Sequence, residues 1–136
     1  MSTDDFDLVD PPSDERAYEL WLQHAFGFTM WENVRGYALE QIDRGLSPEG
    51  QQAAEKAVDD TLYGLFMLLD RVQGALGNER RSLELDLILR MRRGEAVERE
   101  LSVWHGDGLC MGFHFWKAGN FGDYPVATPV GATRKT

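Results

Sequence analysis

The segment from Ser47 to Gly77 constrains the fold of this chain more than any other. Ser47 is a favoured N-cap residue, and Pro48 suits the first helical position, where no backbone amide hydrogen is needed. At 100° per residue, the apolar side chains that follow fall on one broad stripe, as expected for a helix that faces a core. The stripe comprises Ala54, Val58, Leu62, Leu65, Phe66, Leu69, Val72 and Leu76. Since Gly77 favours a left-handed helix end, the segment predicts one long central helix.

Two further helices are predicted before the central one. Ser13 is placed to cap a first helix, which Gly27 ends. Thr29 and Glu32 have the spacing of a capping box, so a second helix is expected to begin there and to stop at Gly45. The N-terminal half of the chain is therefore expected to be helical.

After Gly77 the hydrophobic period changes from 3.6 residues to 2. Apolar residues alternate with mostly charged ones over residues 83–92, which predicts a half-buried strand, although leucine and glutamate also favour helix. A turn at 93–95 leads to a second strand over 97–104, and a further turn leads to a third strand over 109–116. The three strands are expected to form an antiparallel meander.

Helices followed by strands, without strand–helix alternation, indicate an α+β fold. We expect three N-terminal helices, the third long and central, to pack on one face of the C-terminal antiparallel β-meander. Residues 1–12 are rich in aspartate and proline and are expected to form a flexible acidic arm. Residues 13–124 are expected to form a single domain, and residues 125–136 a flexible tail.

Charge is unevenly distributed along the 136 residues, which carry a net charge of −9. Residues 1–78 contain 15 acidic and 5 basic side chains, whereas residues 79–136 contain 8 acidic and 9 basic ones. An acidic field repels nucleic acid and attracts basic partners, although solubility alone also explains it. One cysteine, no apolar N-terminal run and no membrane-length segment favour a cytoplasmic protein with neither a nucleic-acid nor a membrane partner.

An acidic strip on the central helix is the first candidate binding site. Asp59 and Asp70 are eleven residues apart, three turns on nearly the same side, and Tyr63 lies between them. Together with Asp60 they form a candidate contact surface for a basic partner, with Tyr63 as the aromatic anchor. The simpler interpretation is that Asp59 and Asp70 are boundary residues bonded to loops or to arginines. Their separation of about 16 Å along the helix is too large for acid–base catalysis on one bond.

Aromatic residues near the C-terminus indicate a second candidate site. A groove bounded by His114, Trp116 and Asp123 is the candidate ligand site, although core packing is the simpler explanation of the aromatics. The histidines lack the spacing of a metal site, and Cys110 lacks the surroundings of a nucleophile. We therefore expect no metal, no cofactor and no catalytic residue, and interpret Cys110 as a small buried hydrophobe.

Two segments carry a resemblance: TLYGLFMLLDRV on the central helix and GLCMGFHFWKAGNFGDY near the C-terminus. In general layout, over residues 50–124, the chain resembles small bacterial proteins of unknown function, some of them immunity proteins of toxin systems. The resemblance implies a non-catalytic binding protein that occludes a basic toxin or enzyme. The alternatives are a small-molecule-binding protein or enzyme that uses His114, Trp116 and Asp123, and a homodimer whose apolar second sheet face is covered by its own copy.

Overall fold

The computed structural model describes residues 2–72 and 74–131. Within them the chain is α+β, as predicted, with helices and two small antiparallel sheets. In chain order the elements are β1 (Phe6–Leu8), α1 (Glu15–Thr29), α2 (Gly36–Glu40), α3 (Pro48–Leu69), β2 (Ile88–Arg93), β3 (Ala96–Ser102), α4 (Leu109–Lys117) and β4 (Ala127–Pro129). None of the described helices is both long and apolar enough to cross a membrane. Met1 of the predicted arm, Gln73 of the predicted central helix and residues 132–136 of the predicted tail lie outside the described residues.

The first two predicted helices form one continuous helical segment. α1 passes into a π-helical stretch at Met30–Arg35, which passes into α2. The prediction that Gly27 ends a helix is wrong, because Gly27 lies against Trp116: a Cβ atom here would come within 2.1 Å of the indole Cε2. Thr29 keeps helical torsion angles, and its hydroxyl donates to the carbonyl of Ala25 (2.9 Å) instead of capping a helix. Glycine at position 27 therefore marks a close approach between helices.

The central helix α3 begins as predicted. The Ser47 hydroxyl accepts a hydrogen bond from the N–H of Gly50 (3.1 Å), and Pro48 takes the first helical position. The middle of the predicted apolar stripe is buried, while Leu65 at its edge is exposed. The buried apolar residues of α3 are Leu62, Phe66 and Leu69.

The same helix ends about two turns earlier than the sequence predicts. It ends at Leu69, with Asp70 as its C-cap, and the following residue, Arg71, has a left-handed φ of 62°. The prediction that the helix continues to Gly77 is wrong. Consequently Val72 and Leu76, the last residues of the predicted stripe, are exposed rather than buried.

β2 and β3 form the antiparallel hairpin that the alternating pattern predicts, with Ile88 opposite Ser102. Strand structure begins at Ile88, and residues 83–87 have no strand assignment. Leu89 and Met91 are half-buried, whereas the leucines of residues 83–87 are exposed. The pattern therefore identifies the strand but overestimates the length of its buried face.

The predicted third strand is a helix, α4, so the described sheet is a hairpin and not a three-stranded meander. The buried residues of α4 have the helical spacing i, i+3, i+4, i+7. They are Leu109, Gly112, Phe113 and Trp116. The carboxylate of Asp70 accepts hydrogen bonds from the N–H groups of Leu109 (2.7 Å) and Cys110 (2.8 Å). This cap comes from a residue distant in sequence, so the local pattern does not reveal it.

The N-terminal and C-terminal segments pair with each other. β1 lies antiparallel to β4. The indole Nε1–H of Trp21 donates to the carbonyl of Pro125 (2.9 Å), which ties the C-terminal segment to α1. The composition of residues 1–12 and 125–136 predicts that both segments lie outside the domain. The structure attaches their described parts to it, and their flexibility stays a prediction.

The buried side chains form two clusters, which meet at Leu89 and Phe121. The larger cluster joins α1, α3 and α4, and its packed rings are those of Phe26, Phe66, Phe113 and Trp116. The smaller cluster joins α1 to the hairpin and the C-terminal segment through Trp21, Leu22, Leu101 and Val126. α1 therefore contributes to both clusters.

Candidate functional site

Trp116 organises the first of two candidate clefts. It is 1% exposed, and its indole packs edge-on against Phe26 and Phe66. The indole Nε1–H donates a hydrogen bond to Nδ1 of His24 (3.0 Å). Because Nδ1 accepts this bond, the neutral imidazole carries its proton on Nε2. Gly122 packs against the imidazole with a φ of 95°, so both its backbone and the lack of space favour glycine.

The His24 cleft is a cavity of about 420 Å³ between the first half of α1 and parts of the chain from residue 107 to residue 124. It combines aromatic walls with carboxylates. Its lining residues are Asp14, Arg16, Ala17, Leu20, Trp21, His24, Asp107, Phe115, Asn120, Gly122, Asp123 and Tyr124.

Three carboxylates and one guanidinium line the His24 cleft. Asp107 pairs with Arg16 (3.1 Å), and Asp14 caps α1 by accepting from the N–H of Ala17 (3.0 Å). Within the described residues, Asp123 has no hydrogen bond or ion pair. Asp123 is therefore the carboxylate most available to a ligand.

His24 does not cancel this excess of negative charge. Burial lowers the pKa of the imidazole below its usual value, although the charges of Asp107 and Asp123 act in the opposite direction. The imidazole is therefore mainly neutral at pH 7. With three carboxylates and one guanidinium, the lining of the cleft is negatively charged.

Gln23 holds the position of Asp107. This buried amide accepts a hydrogen bond at Oε1 from the N–H of Asp107 (3.0 Å), and its Nε2 donates to the carbonyl of Val103 (3.4 Å). Gly106 lies directly over the amide, where a Cβ atom would come within 2.1 Å. The carboxylate of Asp107 is thus attached to a backbone segment that packs firmly on α1.

Two exposed rings complete the cleft. Phe115 and Tyr124 line the cleft and are 43% and 48% exposed, so their rings are accessible to a ligand. Ring faces attract cations, and carboxylates bind them through charge-assisted hydrogen bonds. The cleft is therefore chemically suited to a lysine or arginine side chain.

A second cavity, the α3–α4 groove, has a volume of about 580 Å³. It brings together three of the four predicted partner-binding residues, Asp59, Asp60 and Tyr63, and places His114 beside them. The complete lining is Arg35, Gln52, Glu55, Lys56, Asp59, Asp60, Tyr63, Phe113, His114 and Lys117. Three basic and three acidic side chains in this lining balance one another.

Asp59 is bonded within the protein. Its side chain accepts a hydrogen bond from Nε of Arg35 (2.7 Å) and lies 3.2 Å from Nζ of Lys117. Burial opposes ionisation of this carboxyl, but the bonds from Arg35 and Lys117 outweigh it and hold the pKa of Asp59 below its usual value. This agrees with the simpler interpretation from the sequence, in which Asp59 is a boundary residue bonded to an arginine.

Asp60, Tyr63 and Asp70 have separate roles. Asp60 is exposed and pairs with Lys56 one turn earlier on α3. The ring of Tyr63 contacts Phe113 and His114, at centroid distances of 5.2 and 5.7 Å. Asp70 caps α4 and does not line the α3–α4 groove.

The three residues of the predicted ligand groove are not brought together. His114 lines the α3–α4 groove, Trp116 fills the core, and Asp123 lines the His24 cleft. The strand prediction caused this error, because it places residues 114 and 116 on one face, whereas on α4 they lie about 160° apart around the helix. Cys110 is half-buried, and burial together with the Asp70 carboxylate raises the pKa of its thiol.

Sequence reasoning missed His24, although a signal was present. Ala17, Trp21 and His24 have the spacing i, i+4, i+7, so His24 lies on the same face of α1 as an apolar stripe.

Within residues 2–72 and 74–131, no group of three histidine, cysteine or acidic side chains is arranged to hold a metal ion. Comparisons of the chain with known protein families, with curated proteins and with solved structures gave no match.

Proposed function

We propose that this protein is a non-catalytic binding protein that receives a basic side chain of a partner protein in the His24 cleft. The observation that carries the proposal is the composition of the cleft: Asp14, Asp107 and Asp123 accompany two exposed rings, and Arg16 is the one guanidinium among the described lining residues. A cation entering the cleft gains carboxylate and ring contacts.

The dimensions of the cleft support the same ligand class. A volume of about 420 Å³ lies within the usual range of small-ligand pockets, so a lysine or arginine side chain fits. Gln23 and Trp116 hold Asp107 and His24 in place, so little ordering is needed when a ligand binds.

The resemblance to immunity proteins is consistent with a toxin or another enzyme with a basic face as the partner. The net charge of −9 steers such a partner toward the protein, and the cleft supplies the contact that fixes its orientation. In this proposal the protein occludes the partner and catalyses no reaction.

Charge also distinguishes the His24 cleft from the α3–α4 groove. In the groove, Arg35 and Lys117 already neutralise Asp59, and Lys56 pairs with Asp60. A basic partner gains less there, because Asp59 and Asp60 must first leave their internal cations. Asp60 and Tyr63 remain candidate contacts of a second docking surface.

The test is the association rate of the protein with the product of the neighbouring gene, measured across ionic strength. Asp123→Lys should slow association about ten-fold or more at low salt and less at high salt. Asp60→Lys is the matched control, because it changes the net charge equally but lies outside the cleft. Equal effects of both variants would show that only net charge matters, and an effect of Asp60→Lys alone would favour the groove.

A further inference from the structure

Neither outer edge of the β2–β3 hairpin, that of β2 or that of β3, has a strand beside it in the described part of the chain. The N–H of Val103 donates to the carbonyl of Leu87 (2.9 Å), and Ile88 lies opposite Ser102. Hydrogen-bonding groups alternate between the two sides of a strand. The odd-numbered residues therefore direct these groups toward β3, and Ile88 and Arg90 direct theirs toward the open edge. Such an edge is a template for another strand.

The segment that leads into β2 is also unusually apolar for an exposed one. Leu83, Leu85 and Leu87 are exposed, as is Ile88 within the strand. Leu89 and Met91 continue the same alternation and pack on the core. The apolar row of the core thus extends outward along an open edge, which is typical of an interaction surface.

Charges on the other face of the same segment are ordered along the chain. Glu84 and Asp86 precede Ile88, and Arg90 and Arg92 follow it at the same spacing. When two copies of such a segment run antiparallel, the acidic half of each copy lies beside the basic half of the other. This charge complementarity identifies the partner as a second copy of the chain.

We propose that β2 pairs antiparallel with β2 of a second copy of this chain, about a two-fold axis at Ile88. Glu84 then lies opposite the partner's Arg92, and Asp86 opposite the partner's Arg90. In this pairing residues 84–87 continue the alternation of β2, so the charged pairs coincide with the hydrogen-bonded pairs of the ladder. Opposite charges at directly opposed positions stabilise such a pairing.

Neighbouring registers are unfavourable. An axis at Asp86 places two Asp86 carboxylates face to face, and an axis at Arg90 does the same with two guanidinium groups. On the opposite face, the axis at Ile88 places Leu85 against the partner's Met91 and Leu87 against the partner's Leu89. The exposed leucines are then covered by the apolar row of the second copy.

Each of the four charged residues also has a contact within one copy. Asp86 accepts hydrogen bonds from the Ser102 hydroxyl (2.5 Å) and from the N–H of Leu87 (2.8 Å). Glu84 pairs with Arg71 (3.7 Å), and Arg92 donates to the carbonyl of Glu95 (3.2 Å). The Nε of Arg90 donates to Glu100 across the hairpin (2.8 Å), and both side chains are exposed. A carboxylate accepts about four hydrogen bonds and a guanidinium has five N–H donors, so these contacts leave room for a bond to the partner. Arg90 can thus keep Glu100 and also bind the partner's Asp86. The result is a row of alternating charges across a four-stranded sheet.

Sedimentation equilibrium over a concentration series tests the proposal. The unchanged protein should form a dimer. Glu84→Arg and Arg92→Glu should each weaken it about ten-fold, because each change creates like-charged pairs twice per dimer. The double variant Glu84→Arg/Arg92→Glu should restore the dimer, since the charges are then exchanged. Asp60→Arg, on the exposed side of α3, is the control and should have no effect.

The double variant keeps the test decisive even if a single variant folds poorly, and circular dichroism melting shows whether it does. A protein that sediments as a monomer up to about 1 mM overturns the proposal. So does a dimer that neither single variant weakens, or a double variant that stays as weak as the single ones.

Discussion

The packing around Trp116 and the packing around the β2–β3 hairpin differ sharply. Around Trp116, three helices contribute rings that contact one another, and Gly27 and Gly112 remove side chains to let them approach. Around the hairpin, Leu83, for example, is 58% exposed, and the described sheet has two strands. The apolar side chains of the first region are covered within one chain, whereas apolar side chains of the second region remain exposed.

This difference shows that an apolar pattern predicts the direction of side chains but not what covers them. In the helical region, the stripes of α1, α3 and α4 face one another, so each covers the others. Within the described residues, every buried side-chain polar atom there and elsewhere has a hydrogen-bond partner. The helical region therefore fixes the fold and the His24 cleft, whereas the leucines beside the hairpin stay exposed in the described part of the chain.

The largest expected effect is that of Trp116→Ala. Removal of this buried indole should cost about 3–5 kcal/mol of the free energy of unfolding, measured by urea denaturation. Trp104→Ala is the matched control, because that indole is exposed and lies near the hairpin. The Cζ atom of Arg71 lies 4.6 Å from the centroid of the Trp104 ring. The cost of Trp104→Ala should stay below about 1 kcal/mol. Equal costs would mean that the two regions are packed alike.

A matched pair of leucines gives the next largest effect. Leu69→Ala removes a buried side chain of α3 and should cost about 2–5 kcal/mol. Leu85→Ala removes an exposed one and should change the free energy of unfolding of the monomer by less than about 0.5 kcal/mol. The measurement is chemical denaturation at a concentration below any self-association. A loss under half a kcal/mol for Leu69→Ala would show that the α3 stripe is not buried.

Asp59→Asn should have a smaller effect that depends on pH. At neutral pH it removes the charge that binds Arg35 and Lys117 and should cost about 1.5–3 kcal/mol. Because the pKa of Asp59 is lower in the folded protein than in the unfolded chain, its contribution is present above about pH 3.9 and is lost as pH falls through the folded value.

The check on that prediction is urea denaturation of both proteins from pH 7 downward. The difference between them should shrink toward zero as Asp59 becomes protonated in the folded state. A difference that is independent of pH would mean that shape, and not charge, determines the effect of the substitution.

Parts of this fold were predictable because their causes are local. The capped start of α3 and the hairpin follow from Ser47, Pro48 and the alternation over 83–92. The errors have causes that are distant in sequence. Gly27 lies inside a helical segment where Trp116 packs on it, and the first turn of α4 is capped by Asp70 from the end of α3.

The candidate sites follow the same rule. The sequence places Tyr63 between Asp59 and Asp70 on the central helix and Asp123 at the edge of a groove, and each of the two residues lines a cavity. The residues that surround them depend on how the helices pack. Because the predicted third strand is a helix, Asp123 and His114 line different cavities. The spacing from Ala17 and Trp21 gives the face of α1 on which His24 lies, but its hydrogen bond with Trp116 depends on how α1 and α4 pack.

Binding of a basic side chain in the His24 cleft can be observed in a two-dimensional NMR titration with N-acetyl-arginine amide. The indole N–H signals of Trp116, bonded to His24, and of Trp21, in the cleft wall, report on the site. We predict saturable shifts of these signals and of the Gly122 and Asp123 amides, lost in Asp123→Lys. If these signals do not shift, or if only those of Asp60 and Tyr63 shift, the His24 cleft does not bind a basic side chain.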